Sequence, residues 1–460
     1  MWRSALREVS ELAEQAASLA GPGALAGVTR ERSLTLRFAA NRPTQSTAVE
    51  DVTVEIAAVQ GGRVGRATTN AVDTDALADC VRRARGAARA AAGTGEGSFP
   101  GFGLDRDPGT PRAAPARPDS ATAELAPGAG GAQLEAAFTA ARAAGVEAHG
   151  IWTAGEVRRT WATDAGAGAE GTTDAFMKVI CLAPGGRSGY AAHTARASAE
   201  LDGRALAEEA AAKATTPGEP AELPPGDYPV VFEAHAVGCL LELLAGAAFD
   251  GLAHADGRGA LSGRLGTVVA SPAINLADSP SSPRTLTRSF DAEGTPKRPL
   301  PLIQDGVAHA VAHDIRSAAL TGTVSTGHAL TPGGDPYGAL PTNLVLAGGG
   351  ATGADELCQP IERGLLVTRL WYANVIRPKE PLVTAVTRDG TFLIEDGRVT
   401  RPLRDLRLTD NALELLARVQ ALGRRQKLTS DGELYGRRFA SGVVCPALRC
   451  GAVRFTGAAG

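Results

Sequence analysis

Thr216-Pro217-Gly218-Glu219-Pro220-Ala221-Glu222-Leu223-Pro224-Pro225-Gly226 divides the chain. Clustered prolines without an apolar period make a stiff connector. A chain of 460 residues is about two or three usual domain lengths, so each side of that connector can bury its own core. The expected division is an N-terminal domain at 1–215, a linker at 216–226 and a C-terminal domain at 227–460.

Before the linker, apolar positions from Trp2 to Leu19 recur at helical spacing between Glu8, Glu11 and Glu14, which predicts an amphipathic helix. Ser33 to Phe38 and Val52 to Ala58 alternate as half-buried strands, and Gly61-Gly62 turns the second back along Arg63 to Thr68 as a hairpin. Thr74 is expected to cap a helix carrying Leu77, Cys80, Val81 and Ala84. Residues 93–128 lose all periodicity and are crowded with Gly and Pro, so they are expected to form a long loop or extended arm. A helix at Gln133 to Ala144 follows, then short strands at Glu147 to Trp152, Val157 to Thr163 and Ala175 to Leu182, and a helix from Asp202 to Ala214.

After the linker come a strand at Pro229 to Phe232, a helix to Phe249, and mostly short strands punctuated by glycine. Those strands are expected at 266–270, 300–304, 306–312, 365–371, 382–388 and 391–394. Asp389-Gly390, between the last two, suits a type I′ hairpin turn. The fold class expected is α+β in two domains, the second dominated by antiparallel β-sheet.

A net charge of −3 supplies no basic field for nucleic acid or an anionic membrane. No stretch approaches the roughly 20 apolar residues that span a bilayer. The glutamates of the first helix interrupt the apolar core that a secretory signal needs, so a cytoplasmic location is expected. Six scattered cysteines are expected to be reduced thiols rather than a disulfide framework.

Hydrolytic chemistry is constrained by what is missing. A zincin places two histidines one helical turn apart with a glutamate beside the first, and none of the seven histidines here precedes a glutamate. His309 and His313 have ligand-like spacing, but the alternating pattern around them predicts a strand, which would hold them about 13 Å apart. His235 and Cys239 sit four residues apart on an expected helix, where a helix-start histidine and a buried thiol explain them. Cys445 and Cys450 lack Cys-x-x-Cys spacing, and the glycine loops at 331–335 and 348–350 lack the Gly-Lys-Ser/Thr ending of a phosphate loop.

Several stretches taken in order resemble the TldD/PmbA family: Val52 to Ala58 with Gly61-Gly62-Arg63-Val64-Gly65, Thr68-Thr69-Asn70, Phe290-Asp291-Ala292-Glu293-Gly294-Thr295-Pro296, and Leu302 to Val307. Ser325-Thr326-Gly327-His328-Ala329, Ile361 to Thr368 and Phe392 to Gly397 extend the likeness over nearly the whole chain. The resemblance implies two kinds of member. TldD-like subunits carry His-Glu-x-x-x-His at the start of the second domain and a cysteine near the C-terminus, which together hold a metal; TldE-like subunits lack these and assemble with TldD. The corresponding positions here are Ala234, His235 and Cys239, and the C-terminal cysteine falls near Leu434-Tyr435-Gly436, with Tyr435 its counterpart.

The resemblance therefore implies a TldE-like subunit with no metal ligands, no catalytic residues and no cofactor of its own, inactive alone. Zinc is expected in a TldD-like partner, in a heterodimer or larger complex that cleaves extended or modified peptides. His235, Cys239 and His328 are the candidates for lining the substrate cleft. Three alternatives remain: a paired hydrolase acting on an amide-containing natural product, a stand-alone cysteine or metal hydrolase using Cys239, His235, Cys445 or the 309/313 histidines, and a non-enzymatic binding or assembly protein.

Overall fold

The computed structural model describes residues 2–91, 99–102, 117–334, 338–430 and 436–458. The N-terminal half opens with α1 (Trp2–Ala20), the meander β1 (Ala24–Ala39), β2 (Arg42–Gln60) and β3 (Arg63–Thr69), and α2 (Thr74–Ala91). After 99–102 and 117–119 come α3 (Ser120–Glu124), α4 (Pro127–Ala143), the strands β4 (Glu147–Thr163), β5 (Gly166–Leu182) and β6 (Ser188–Ala195), and α5 (Gly203–Ala214). The six strands form one antiparallel sheet in the order β3-β2-β1-β4-β5-β6.

Alternation along these strands sorts the sheet into two faces. Ala26, Val28, Val54 and Ile56 meet α1 and α2 on one face, and Trp152, Met177 and Val179 meet α4 and α5 on that same face. The opposite face carries Glu31, Thr153, Arg159, Glu170 and Asp174, and turns toward the C-terminal half.

That half runs β7 (Gly226–Phe232), α6 (Ala234–Ala248), α7 (Gly251–Ala255), β8 (Leu276–Asp278), β9 (Leu300–Gln304), β10 (Val307–Ala308), α8 (Ile315–Thr321), β11 (Leu344–Leu346) and α9 (Ala354–Cys358). It ends with β12 (Arg363–Arg377), β13 (Leu382–Glu395), β14 (Arg398–Pro402), β15 (Leu406–Asn411), α10 (Ala412–Ala417), β16 (Val419–Thr429) and β17 (Val443–Ala458). Its strands make an 11-stranded sheet in which β7, β12, β13, β15 and β17 close on themselves through the β17–β7 pairing. Among the described residues only β7–β12 and β11–β17 pair parallel. The fold is α+β with an antiparallel-rich second sheet, and α6 packs its Val237, Leu241 and Leu244 into the larger core.

Several expectations need correction. Asp389 and Gly390 do not end a strand: β13 runs through them, and both lie opposite Thr368 in a β-bulge where the register slips between Val367 and Arg369. Their positive φ values (52° and 133°) serve the bulge, and a side chain at Gly390 would press on Thr368. The bulge aims the Asp389 carboxylate at Arg369 and at Ser188 Oγ of β6, 2.6 Å away. Residues 266–270 form no strand, only a single Val268–Val307 bridge, because the Gly266 and Gly306 turns hold these segments by isolated backbone bonds. The 306–312 strand shrinks to β10 for the same reason. The two short strands at 147–163 are one, β4, paired along its length with β5.

The cap of α2 is Asp73, whose Oδ1 accepts from Ala76 N at 2.9 Å, one residue before Thr74. The arm expected at 93–128 ends earlier: α3 is capped by Asp119, and α4 starts at Pro127, a residue pre-organised for the first helical position. There Gly130 lets the helix approach Leu36 and Trp152, since a Cβ would come within 2.7 and 2.8 Å of them. Residues 93–98 and 103–116 lie outside the described residues.

The halves meet through a buried arginine. Arg438, 3% exposed, donates Nε and one terminal nitrogen to the two oxygens of Asp174 at 2.8 and 2.6 Å, and the other terminal nitrogen to Thr153 Oγ1 at 3.0 Å. Its backbone N–H donates to Glu31 Oε2 at 2.8 Å. The guanidinium lies over Gly155, where any Cβ would collide with it. Asp174→Ala leaves that cation buried and unpaired, and should cost about 3–5 kcal/mol in chemical denaturation. A cost below about 1 kcal/mol would show that the pair does not hold the halves together.

Candidate functional site

The start of α6 is the position at which the resemblance implies metal ligands in TldD-like subunits. Glu233 takes the N-cap position without capping through its side chain. Its carboxylate instead accepts from Lys213 Nζ at 2.8 Å, and Lys213 also reaches Glu209 at 2.9 Å and the carbonyl of Tyr190 at 3.1 Å. Lys213 thus ties α5, β6 and α6 together. Next along the helix, His235 Nε2 lies 3.1 Å from the Ala192 carbonyl of β6, a distance at which it donates, and its ring meets Tyr190 edge-on with centroids 5.2 Å apart. Burial pushes the imidazole down to about 3, and the cation of Lys427 adds to that.

Cys239 is half-buried one turn further on. Beneath the helix, the Cys445 thiol donates to the Ala234 carbonyl at 3.2 Å and is pushed up to about 12 by burial. A Cβ at Gly238 would collide with Thr429, so α6 sits hard against β16.

These residues do not fit a catalytic zinc. Ala234 has no donor atom, the Nε2 of His235 is committed to a carbonyl, and the Cys445 thiol stays protonated near neutral pH. Among the described residues no three His, Cys, Asp or Glu side chains converge to hold a metal. Leu434 and Tyr435, expected beside this helix, lie outside the described residues. His309 is exposed, whereas His313 is buried with Nδ1 3.2 Å from Ser317 Oγ and is pushed down to about 4 by burial. All six cysteines are free thiols.

His328 belongs to a buried polar cluster. It is 1% exposed, its Nδ1 lies 2.9 Å from Thr326 Oγ1, and its Nε2 lies 3.3 Å from Asp278 Oδ1. Lys297 Nζ approaches the same oxygen at 3.5 Å. Burial alone would raise the Asp278 carboxyl, but Lys297 and His328 reverse that and hold it below the usual carboxylate range. The neighbouring Asp291 and Glu293 bind backbone amides, Asp291 those of Glu293, Thr295 and Ala329, and Glu293 those of Ile315 and Gly333. This stretch, prominent in the sequence, builds the loops from within.

Beside these loops a cleft of ≈ 100 Å³ opens between the halves. The sheet contributes Glu55, Arg159 and Trp161, and the C-terminal half contributes Arg288, Phe290 and Arg437. A wider depression of ≈ 420 Å³, floored by Glu242 and Ala245 of α6, shares Leu330 and Phe439 with it. Arg288 donates to the Ala440 carbonyl at 2.8 Å and lies 3.7 Å over the Phe439 ring. Burial, with Arg159 beside it, lowers its proton affinity to about 9.

Arginines and aromatic rings, interspersed with the carboxylates of Glu55, Glu170 and Asp291, give a mixed lining that suits the amides and carbonyls of an extended chain. His235, Cys239 and His328 line neither depression. Of the residues that do, the sequence marks Phe290, Asp291 and Ala292 as part of a family-like stretch and none as a cleft residue. Along β4 the sequence gives no signal for them, since the alternate positions Glu156, Arg158 and Thr160 are as polar as Arg159.

The His235 environment makes stability depend on pH. The folded chain keeps the imidazole neutral down to about 3, whereas the unfolded chain takes up its proton from 6.5 downward. Its contribution is therefore present above that window and is lost as pH falls through it, with a slope of about 1.4 kcal/mol per pH unit. Asp291, raised to about 6 by burial, has the opposite sign, losing stability as pH rises through its window. His235→Asn shares the Asp291 effect, so its urea midpoint should fall less steeply on acidification than that of the unaltered chain. Identical slopes would show that His235 is not held neutral.

Residues 225–457 match the PmbA/TldA metallopeptidase C-terminal domain, and residues 26–88 match PmbA/TldA metallopeptidase domain 1. A metalloprotease of Methanothermobacter thermautotrophicus is 27% identical over 200 residues, 44% of this chain and 43% of that protein. A metalloprotease TldD homolog of Haemophilus influenzae is 25% identical over 252 residues, 53% and 51% of the two chains. The chain thus spans about half the length of the curated relatives it matches. The crystal structure of TldE from Thermococcus kodakarensis superposes with a TM-score of 0.79 at 19% identity, covering 96% of this chain and 98% of that one, which is a likeness of fold. With its C-terminal match alone spanning half its length, the chain belongs to the PmbA/TldD family of metallopeptidase-like proteins.

Proposed function

We propose that this chain is the non-metal subunit of a TldD/TldE-like heteromeric zinc metallopeptidase. Its two halves, as domains joined at 216–226, shape a chamber and bind an extended or modified peptide along the cleft between them. The observation that carries this is the start of α6. Where the family resemblance puts a metal-binding His-Glu-x-x-x-His, the chain offers Ala234, a histidine bonded to a backbone carbonyl, and Cys239. Hydrolysis then requires a zinc-bearing TldD-like partner, which supplies the Lewis acid and the activated water.

The fold shared with a TldE supports the subunit role. The aromatic and arginine lining supports peptide binding. Six free thiols, with no described helix long and apolar enough to cross a membrane, support a cytoplasmic site of action.

Co-expression with a TldD-like subunit, followed by peptide digestion, tests the proposal. Activity should appear only in the mixed complex and vanish with chelator. His235→Ala or Cys239→Ala should leave turnover of the assembled complex within about tenfold, or about 1.4 kcal/mol of transition-state stabilisation. A fall of several orders of magnitude with the complex intact would place these residues in the chemistry and contradict the passive role.

A further inference from the structure

A separate depression of ≈ 590 Å³ lies between the end of β6 and the end of β16. Arg117, Arg196, Arg284, Arg425 and Lys427 line it, brought together from four stretches of chain, with His193 among them. In a chain of net charge −3, such a concentration does not follow from composition.

Two carboxylates also line it, fewer than the cations. Asp119 accepts from Thr122 N and Oγ1 at 2.8 and 2.6 Å as the cap of α3, and Glu200 accepts from Ala197 N at 3.0 Å. Arg284 is bonded to the Gln426 side chain, and Lys427 is 3.8 Å from Glu209. Among the described residues no carboxylate pairs with Arg117, Arg196 or Arg425. Like charges gathered in a concavity repel one another and draw in anions. The imidazole of His193 registers that field: burial pushes it down, Glu200 opposes, and Lys427 and Arg425 push it down further.

We propose that this depression binds an acidic stretch of the peptide substrate, with Arg196, Arg425 and Lys427 pairing with successive Asp or Glu carboxylates. Guanidinium forks match carboxylates in geometry, and the volume lies in the range of ligand-holding pockets. Among the described residues the lining holds no Phe, Tyr or Trp ring on which a nucleotide base could stack. The inference rests on the peptide-binding role and specifies which peptides are preferred.

Fluorescence anisotropy of the full chain, with a labelled extended peptide carrying alternate Asp and Glu and with its Asn/Gln counterpart, tests this. At low salt the acidic peptide should bind about tenfold or more tightly, and the preference should fade near 0.5 M NaCl, about where screening is strong. Arg196→Ala/Arg425→Ala should abolish the preference and leave the neutral peptide's affinity unchanged. Equal affinities in the unaltered chain would overturn the inference while leaving the peptide-binding role standing, whereas failure of both peptides to bind would overturn both. A preference that survives the double substitution, or tripolyphosphate binding there without any preference for the acidic peptide, would also overturn it.

Discussion

The guanidinium of Arg438, sealed between the two halves and gripped by Asp174, fixes everything around it. A buried cation without its carboxylate costs several kcal/mol, so the segment that carries it has one position. That segment also presents Phe439 to Arg288 and the Ala440 carbonyl to the same guanidinium, which sets one wall of the cleft. Further bonds follow the same seam. Ser188 meets Asp389, Thr194 meets Ser430, and Arg66 reaches Thr331 and Gly334. The seam combines these bonds with apolar contact, since Trp161 meets Phe290 edge-on across it with ring centroids 6.2 Å apart.

With the seam fixed, the start of α6 is a joint between halves. His235 donates to a carbonyl of β6 and Lys213 gathers Glu209, Glu233 and Tyr190 around the same corner. A metal ligand must present a lone pair to an open coordination position, whereas here the imidazole is spent on positioning a helix against a sheet. Side chains that knit the scaffold at this corner stand apart from the neighbouring depressions, which arginines line and, in the cleft, aromatic rings as well.

Local patterns in the sequence carried much of the fold. Alternation at Val52 to Ala58 with Gly61-Gly62 locates a hairpin that β2 and β3 form, and the apolar spacing after Asp202 marks α5 with its cap. Asp389-Gly390 is ambiguous in sequence because the same positive-φ pair serves a hairpin turn or a bulge, and only the pairing with Thr368 decides between them. The site was less legible. Arg438 and Asp174 are 264 residues apart, so nothing local announces their pair. His328 looked available beside Ser325-Thr326-Gly327, yet Asp278 and Lys297, from two other segments, close over it.

On the proposed reading, hydrolysis belongs to a partner's metal and not to this chain. Zinc content measured alongside native mass, for the purified chain and for its complex with a TldD-like subunit, tests it most directly. The account predicts no stoichiometric zinc on the chain alone, and zinc in proportion to the partner in the complex. Tight zinc on the isolated chain, lost on His235→Ala or His309→Ala, would contradict it.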